Sequence, residues 1–276
     1  MSLHRYPPVT PVGTTFDGGG RHHKNWHAIL VIRNPAIDYL ESKLMKALLV
    51  LIASIAFAVS PFLSPEFGGF DPERYPIPQR DVAVQPAGWA FSIWGLIYVA
   101  LVIHAAYGVL KYKTDAAWDR GRVALLVSLA VGAIWLPVAL LSPIWATILI
   151  WVMLLSVLAS LYQSADAAPS WLARWPVALY AGWLSAASFV SIGLLLAGYG
   201  WMEEKPAAIV ALVLATIFAA YNSHRLASWP YGAAVTWGFF GIAVANMSSS
   251  KTVAIAALVA AVLIVAISIL RNRSPG

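Results

Sequence analysis

Residues 85–98 read QPAGWAFSIWGLIY: two tryptophans, a phenylalanine and a tyrosine behind a Pro-Ala-Gly start. Apolar sequence then continues to residue 110. About 20 apolar residues in a helix cross roughly 30 Å of hydrocarbon at about 1.5 Å per residue. Runs of this kind recur along the chain, at 46–63, 87–110, 122–141, 144–163, 174–197, 207–223, 231–248 and 252–270. Pro143, Pro169, Pro206 and Pro230 fall between them, where a missing N–H costs least. The chain is 60% hydrophobic and 11% charged. Soluble domains carry about 25% charged residues, so this composition cannot cover a water-facing surface. The expected fold is all-α: a polytopic membrane helix bundle of about eight transmembrane helices.

The net charge of +6 does not point to a nucleic-acid partner, because lysine and arginine sit at span ends and in the first 44 residues. That is the pattern of topology signals and lipid headgroup contacts, which makes the bilayer the first partner. With the amino terminus inside, Lys43, Lys46, Lys111, Lys113, Arg120, Arg122, Arg174, Arg225, Arg271 and Arg273 share the inner side. Arg74, Arg80, Lys205 and Lys251 lie outside. The positive-inside rule then places both termini in the cytoplasm, in a bacterial inner (cytoplasmic) membrane. The chain has no cysteine, which excludes disulfides and thiolate metal sites.

Residues 1–44 are Gly-rich and polar and read as a disordered tail. Met45-Lys46 ahead of an apolar run reads as a natural translation start, with the tail an upstream extension. Residues 45–197 are expected to form one five-helix domain and 198–276 an additional three-helix segment. The one long connection, 64–86, is outer and rich in proline and charge. A loop of that length is expected to cover something.

Phe91, Trp94 and Tyr98 are spaced i, i+3, i+7 and share one helix face. Gly88 and Gly95 form a small-residue strip that would let another helix approach. Trp89, Trp118, Trp145, Trp171, Trp201, Trp229 and Tyr231 suit an interfacial aromatic belt. For the deeper Trp94 and Tyr98 two readings stay open: helix packing, or one wall of a binding pocket. Trp135 and Trp151 are also deep. Tyr180, Trp183, Ala187 and Ser191 share a face of the fifth span. Flat rings beside small residues bound a cavity suited to a planar apolar ligand.

The P-x-G-W-x-F-x-x-W-x-x-x-Y pattern from Pro86 to Tyr98 resembles the second-helix signature of the tryptophan-rich sensory proteins. These form the TspO/MBR family, relatives of the mitochondrial translocator protein or peripheral benzodiazepine receptor. The long outer loop, Trp135 and the P-x-x-x-Y-x-G-W-x-x-x-A run from Pro176 to Ala187 are similar too. The resemblance covers 46–197 and implies a five-helix fold that binds porphyrins, other tetrapyrroles or sterol-like molecules beneath the first outer loop. By motif position it places Trp94, Tyr98, Trp135, Trp183 and Ala187 in that pocket; Phe91, Tyr180 and Ser191 join the candidate ligand-binding residues through the helix faces they share with these. No cofactor is required. A porphyrin is the guest it allows, and a homodimer is compatible with it. Ser92-Ile93 stands where the family has Gly-Pro-Val, and Ser191 where it has Asn, which marks a divergent branch.

Among intramembrane polar groups, His104 reads as a structural hydrogen bonder, with axial ligation of a metalloporphyrin or a proton relay as the alternative. Asn246 reads as a helix contact, with a ligand anchor as the alternative. No acid lies deep in a span, and no Ser-His-Asp set or phosphate loop is present, so no catalytic and no metal-binding residues are assigned. The expected function is a ligand-binding sensor or carrier for a planar hydrophobe. The alternative is a secondary transporter of a small solute.

Overall fold

The computed structural model describes residues 35–64, 71–80 and 82–273, and the described residues are helical or irregular, without strands. The helices are α1 (Pro35–Val59), α2 (Ile93–Leu110), α3 (Ala116–Leu141), α4 (Pro143–Gln163), the single turn α5 (Ser170–Ala173), α6 (Trp175–Gly198), α7 (Glu204–Leu226), α8 (Trp229–Ala245) and α9 (Lys251–Arg273). Seven of these segments are long and apolar enough to cross a membrane. The remaining long helix, α8, has 17 residues, about 26 Å, the lower limit for a span. The chain is an integral membrane helix bundle.

The expected spans and the helices agree closely except at the start. The helix begins at Pro35, so residues 35–44 are helical where an irregular tail is expected from sequence. Proline at the first helical position and Asp38 in the first turn both favour a helix start. Lys43 then donates to the Thr114 carbonyl, 3.0 Å away, which ties this turn to the α2–α3 connection. Residues 1–34 of the expected tail lie outside the described residues.

Helices α1, α2, α6, α4 and α3 neighbour one another in a ring of five; α6, α7, α9 and α8 form a ring of four. Helix α6 belongs to both rings, and 67% of its apolar window is buried, twice the share of α1 or α2. Lipid tails give no hydrophobic drive for helix association, so close approach through small residues carries the packing. Gly182 makes the tightest approach to a neighbouring backbone: a Cβ there would lie 2.2 Å from the Tyr231 carbonyl oxygen of α8. The strip expected at Gly88 and Gly95 is not used this way, since nothing lies within 4 Å of a Cβ at either. The close approach falls instead on Ala90, against Gly241 of α8.

The two ends of the bundle differ in chemistry. At the basic end, buried Arg122 donates to the carbonyls of Gly108, Tyr112, Lys113 and Lys43 and to Asp119. Lys46 also pairs with Asp119, and Arg120 with Asp166. At the other end, the described part of the 64–86 loop is a strap tied to three helices. Ile77 N–H donates to the Gly198 carbonyl of α6, and Glu204 at the start of α7 accepts from Ala83 N–H. Asn246, after α8, donates to the Ala83 carbonyl. Tyr75 of the strap packs on Gly198, where a Cβ would come within 2.3 Å of its ring. Burial, with Tyr199 nearby, pushes the Tyr75 phenol up and keeps it neutral.

Candidate functional site

The rings of residues 85–98 enter the bundle in two ways. The backbone from Gly88 to Ser92 is a 3-10 turn, and the regular helix starts only at Ile93. Phe91 therefore sits on the turn, ahead of the α-helical face that carries Trp94 and Tyr98. Trp94 and Tyr98, one turn apart, stack at 5.4 Å between centroids with 16° between planes. Phe57 of α1 meets both edge-on, at 5.7 and 5.0 Å. Tyr180 leans on Phe57 and Trp94, and Trp183 meets Trp94 at 6.1 Å and Phe91 at 5.9 Å, both edge-on. Six rings from three helices and the 3-10 turn thus form one continuous cluster, in the offset and T-shaped geometries that ring quadrupoles favour.

Phe57 is the ring that sequence reasoning misses. It stands alone among aliphatic residues in the buried half of α1 and reaches the cluster because Gly132 of α3 leaves room. A Cβ on Gly132 would lie 2.8 Å from the Phe57 ring. The cluster ends on a polar pair. The Tyr180 hydroxyl is 3.2 Å from Ser128 Oγ, which is 2.8 Å from the Met153 carbonyl. With one proton per hydroxyl, Ser128 donates to the carbonyl and Tyr180 to Ser128.

Beside the cluster, nearer the strap, lies a narrow cavity of about 50 Å³. Phe91, Trp135, Trp183, Ala187 and Ser191 line it, together with Gln85 and Pro86 of the strap and Gly238 and Ile242 of α8. Five of the eight sequence-predicted residues therefore meet there. The other three, Trp94, Tyr98 and Tyr180, pack behind Phe91 and Trp183 and do not reach it. Helix α8 was not expected in the wall. The lining is almost wholly apolar. Trp135 donates its indole N–H to the Ala146 carbonyl at 2.9 Å, and Ser191 donates to the Ala187 carbonyl at 3.1 Å. Trp183 Nε1 is buried with no acceptor. A buried indole N–H usually finds a partner, so Trp183, which lines the cavity, keeps a donor in reserve.

The volume limits what the site holds in this conformation. Roughly 30 Å³ is one water's share of the liquid, whereas pockets for cofactor-sized ligands run about 300–1,000 Å³. The rings are packed on one another, and a large guest must part them. A polar hollow of about 390 Å³ lies outside, lined by Val82, Ala245, Asn246, Ser248 and Ser249. It shares Gln85 and Pro86 with the inner cavity, so that dipeptide divides the two.

Other sequence expectations resolve structurally. His104 Nδ1 is 2.9 Å from the Leu172 carbonyl, and its ring stacks on Trp118 at 4.9 Å, away from the cavity. Trp118 is buried between His104 and Tyr112 and does not join an interfacial belt. Tyr231 is buried too, its hydroxyl 2.8 Å from Ser185 Oγ. Trp151 packs against Phe189 and Phe218 on the α7 side instead of walling the cavity. Trp89, Trp145, Trp171, Trp201 and Trp229 are exposed, as a belt requires. Among the described residues, no group of three or more His, Asp or Glu is placed to hold a metal ion.

No curated protein and no solved structure matches the chain. The family model described as TSPO-like protein matches residues 44–270, which takes in α7, α8 and α9 as well as the first five spans. The ring-rich start of α2, the α6 run with Tyr180 and Trp183, and a match over most of the chain agree: the protein belongs to the TSPO-like family.

Proposed function

We propose that the protein is a membrane sensor or carrier that binds a planar hydrophobic ligand of the tetrapyrrole class against Trp183 and its neighbouring rings. One observation carries this reading: Trp183, whose buried indole N–H has no partner, lines an otherwise apolar cavity walled by flat rings. Apolar walls with a few placed polar groups are the usual make-up of a ligand site. Flat rings stack on a flat guest, and the free indole N–H offers it one directional bond. The polar hollow under the strap is the route in, and Gln85 and Pro86 are what must move. Membership of the family and the TspO/MBR resemblance support the ligand class. In this reading the strap faces the outside of a cytoplasmic membrane and both termini face the cytoplasm, which the basic end of the bundle supports through the positive-inside rule.

Trp183→Leu keeps the helix apolar and removes both the flat face and the donor. It is expected to weaken protoporphyrin binding, followed by quenching of tryptophan fluorescence in detergent, about tenfold or more. One decade is about 1.4 kcal/mol, within reach of a stacking contribution of about 0.5–1.5 kcal/mol plus buried area. Trp201→Leu, at an exposed site, is expected to bind as the parent does. Equal affinity in both variants and the parent contradicts the site. For orientation, a reporter fused after Arg273 is expected to be active only in its cytoplasmic form; periplasmic activity reverses the topology.

A further inference from the structure

A larger hollow, about 540 Å³, opens on the flank of the bundle between α2, α6 and α8. Its walls include Leu96, Ala100, Leu179 and Ala233, and Trp171, Trp175, Trp229 and Trp237 edge it. All four tryptophans are partly exposed, and Leu96 is 60% exposed, so in a bilayer the groove faces lipid. From Trp229 to Trp237 it runs eight residues along α8, about 12 Å. That is close to the roughly 15 Å hydrocarbon depth of one leaflet, half of a bilayer core. The groove stops where the Trp237 indole N–H donates to the Ala90 carbonyl at 2.8 Å.

The basic-end mouth of this groove has an unusual construction. Helices α6 and α8 both begin with Trp-Pro, at Trp175-Pro176 and Trp229-Pro230, and each carries a second tryptophan eight residues on. Gly182 abuts Tyr231 and Ala234 while Gly238 abuts Ala186, so the two helices run parallel. Their positive dipole ends therefore converge on one mouth. Neither start has a side-chain cap: Arg174 and Ser228 occupy the N-cap positions without making the capping bond. Ser228 is 8% exposed and its Oγ has no partner. Arg174 Nε is likewise buried and unpartnered, while its Nη2 donates to the Leu226 carbonyl. Among the described residues no carboxylate lines the groove. The apolar trough thus ends at two helix starts, with Arg174 and Ser228 each one residue ahead of a tryptophan that lines it.

We infer that this groove is a binding site for an anionic phospholipid of the leaflet at the basic end. An acyl chain lies along Leu96, Leu179 and Ala233, and the phosphate sits at Arg174, Ser228 and the two helix starts. The charge of the mouth selects an anionic head over a zwitterionic one. This site stands apart from the ring-lined cavity and does not depend on its ligand.

Native mass spectrometry of the full chain, delipidated and then titrated with dioleoyl phosphatidylglycerol or dioleoyl phosphatidylcholine, tests it. The parent is expected to retain one phosphatidylglycerol per chain at least tenfold more tightly than phosphatidylcholine. Arg174→Gln is expected to remove most of that preference. Ala233→Trp fills the trough from an exposed position, which spares the core, and is expected to abolish the tight lipid. Arg225→Gln, a basic-end charge outside the groove, is expected to leave it unchanged. Equal retention of the two lipids, or full retention in Ala233→Trp, overturns the assignment.

Discussion

Arg122→Met is expected to destabilise the bundle by about 3–5 kcal/mol, the range for removing one partner of a buried ionic network. The guanidinium is 2.6 Å from the Tyr112 carbonyl, 2.9 Å from that of Lys113, and 3.3 Å from those of Gly108 and Lys43. Gly108 lies in the last turn of α2, where the last carbonyls of a helix lack intrahelical partners, and Tyr112 and Lys113 follow in the connection to α3. Methionine matches much of the apolar stem and supplies no donor, so these acceptors are left unpaired away from water. Asp119, which Arg122 shares with Lys46, keeps only Lys46. Unfolding in mixed detergent followed by circular dichroism measures the loss. A change below about 1 kcal/mol means that Arg122 is hydrated and does not hold α1, α2 and α3 together.

The second large effect is expected at Gly182. In Gly182→Ala the new Cβ falls 2.2 Å from the Tyr231 carbonyl oxygen and 3.0 Å from the Ala234 Cβ. The obstacle is helix backbone, so no rotamer change relieves it, and α6 and α8 must separate. Overpacking of this kind costs about 1–3 kcal/mol and occasionally more; a backbone clash puts Gly182→Ala at the upper end, about 3 kcal/mol. Separation also weakens the Ser185–Tyr231 bond. Gly95→Ala is the matched comparison. It meets open space, and alanine gains helix propensity over glycine by about 1 kcal/mol. The same unfolding experiment is expected to show a loss for the first and no loss for the second. Equal behaviour contradicts the close approach of α6 and α8.

These two glycines show what sequence carries and what it leaves out. Spans are legible because a backbone in lipid must satisfy its own hydrogen bonds, so hydropathy alone delimits helices. Hydropathy predicts a span over residues 144–163, and α4 is Pro143–Gln163. Which small residue meets a neighbouring backbone depends on how helices turn towards each other. Gly88 and Gly95 looked suited to it, and Gly182 does it. Arg122 reads as a topology signal because it heads an apolar run; its role as a buried hub comes from Lys43 of α1, 79 residues away, meeting the end of α2 and the α2–α3 connection around it. The rings behave alike. Their depth in α2 and α6 marks Trp94, Tyr98, Tyr180 and Trp183 as interior. Only the approach of Phe57 past Gly132 decides that Trp94, Tyr98 and Tyr180 fill one another's space while Trp183 keeps a face to the cavity. The share of α8 in the wall, through Gly238 and Ile242, has no local signature.

Where a bound tetrapyrrole touches the chain is the most direct test of the ring-walled cavity as its site. A diazirine-bearing protoporphyrin, photolysed on the detergent-purified full chain and mapped by peptide mass spectrometry, reports those contacts. Labels on Phe91, on residues 183–191 and on residues 238–242, each suppressed by excess unmodified protoporphyrin, are the predicted result. Labels confined to outward-facing positions such as Trp145, Trp201 and Phe240, or labels that excess protoporphyrin leaves in place, contradict it.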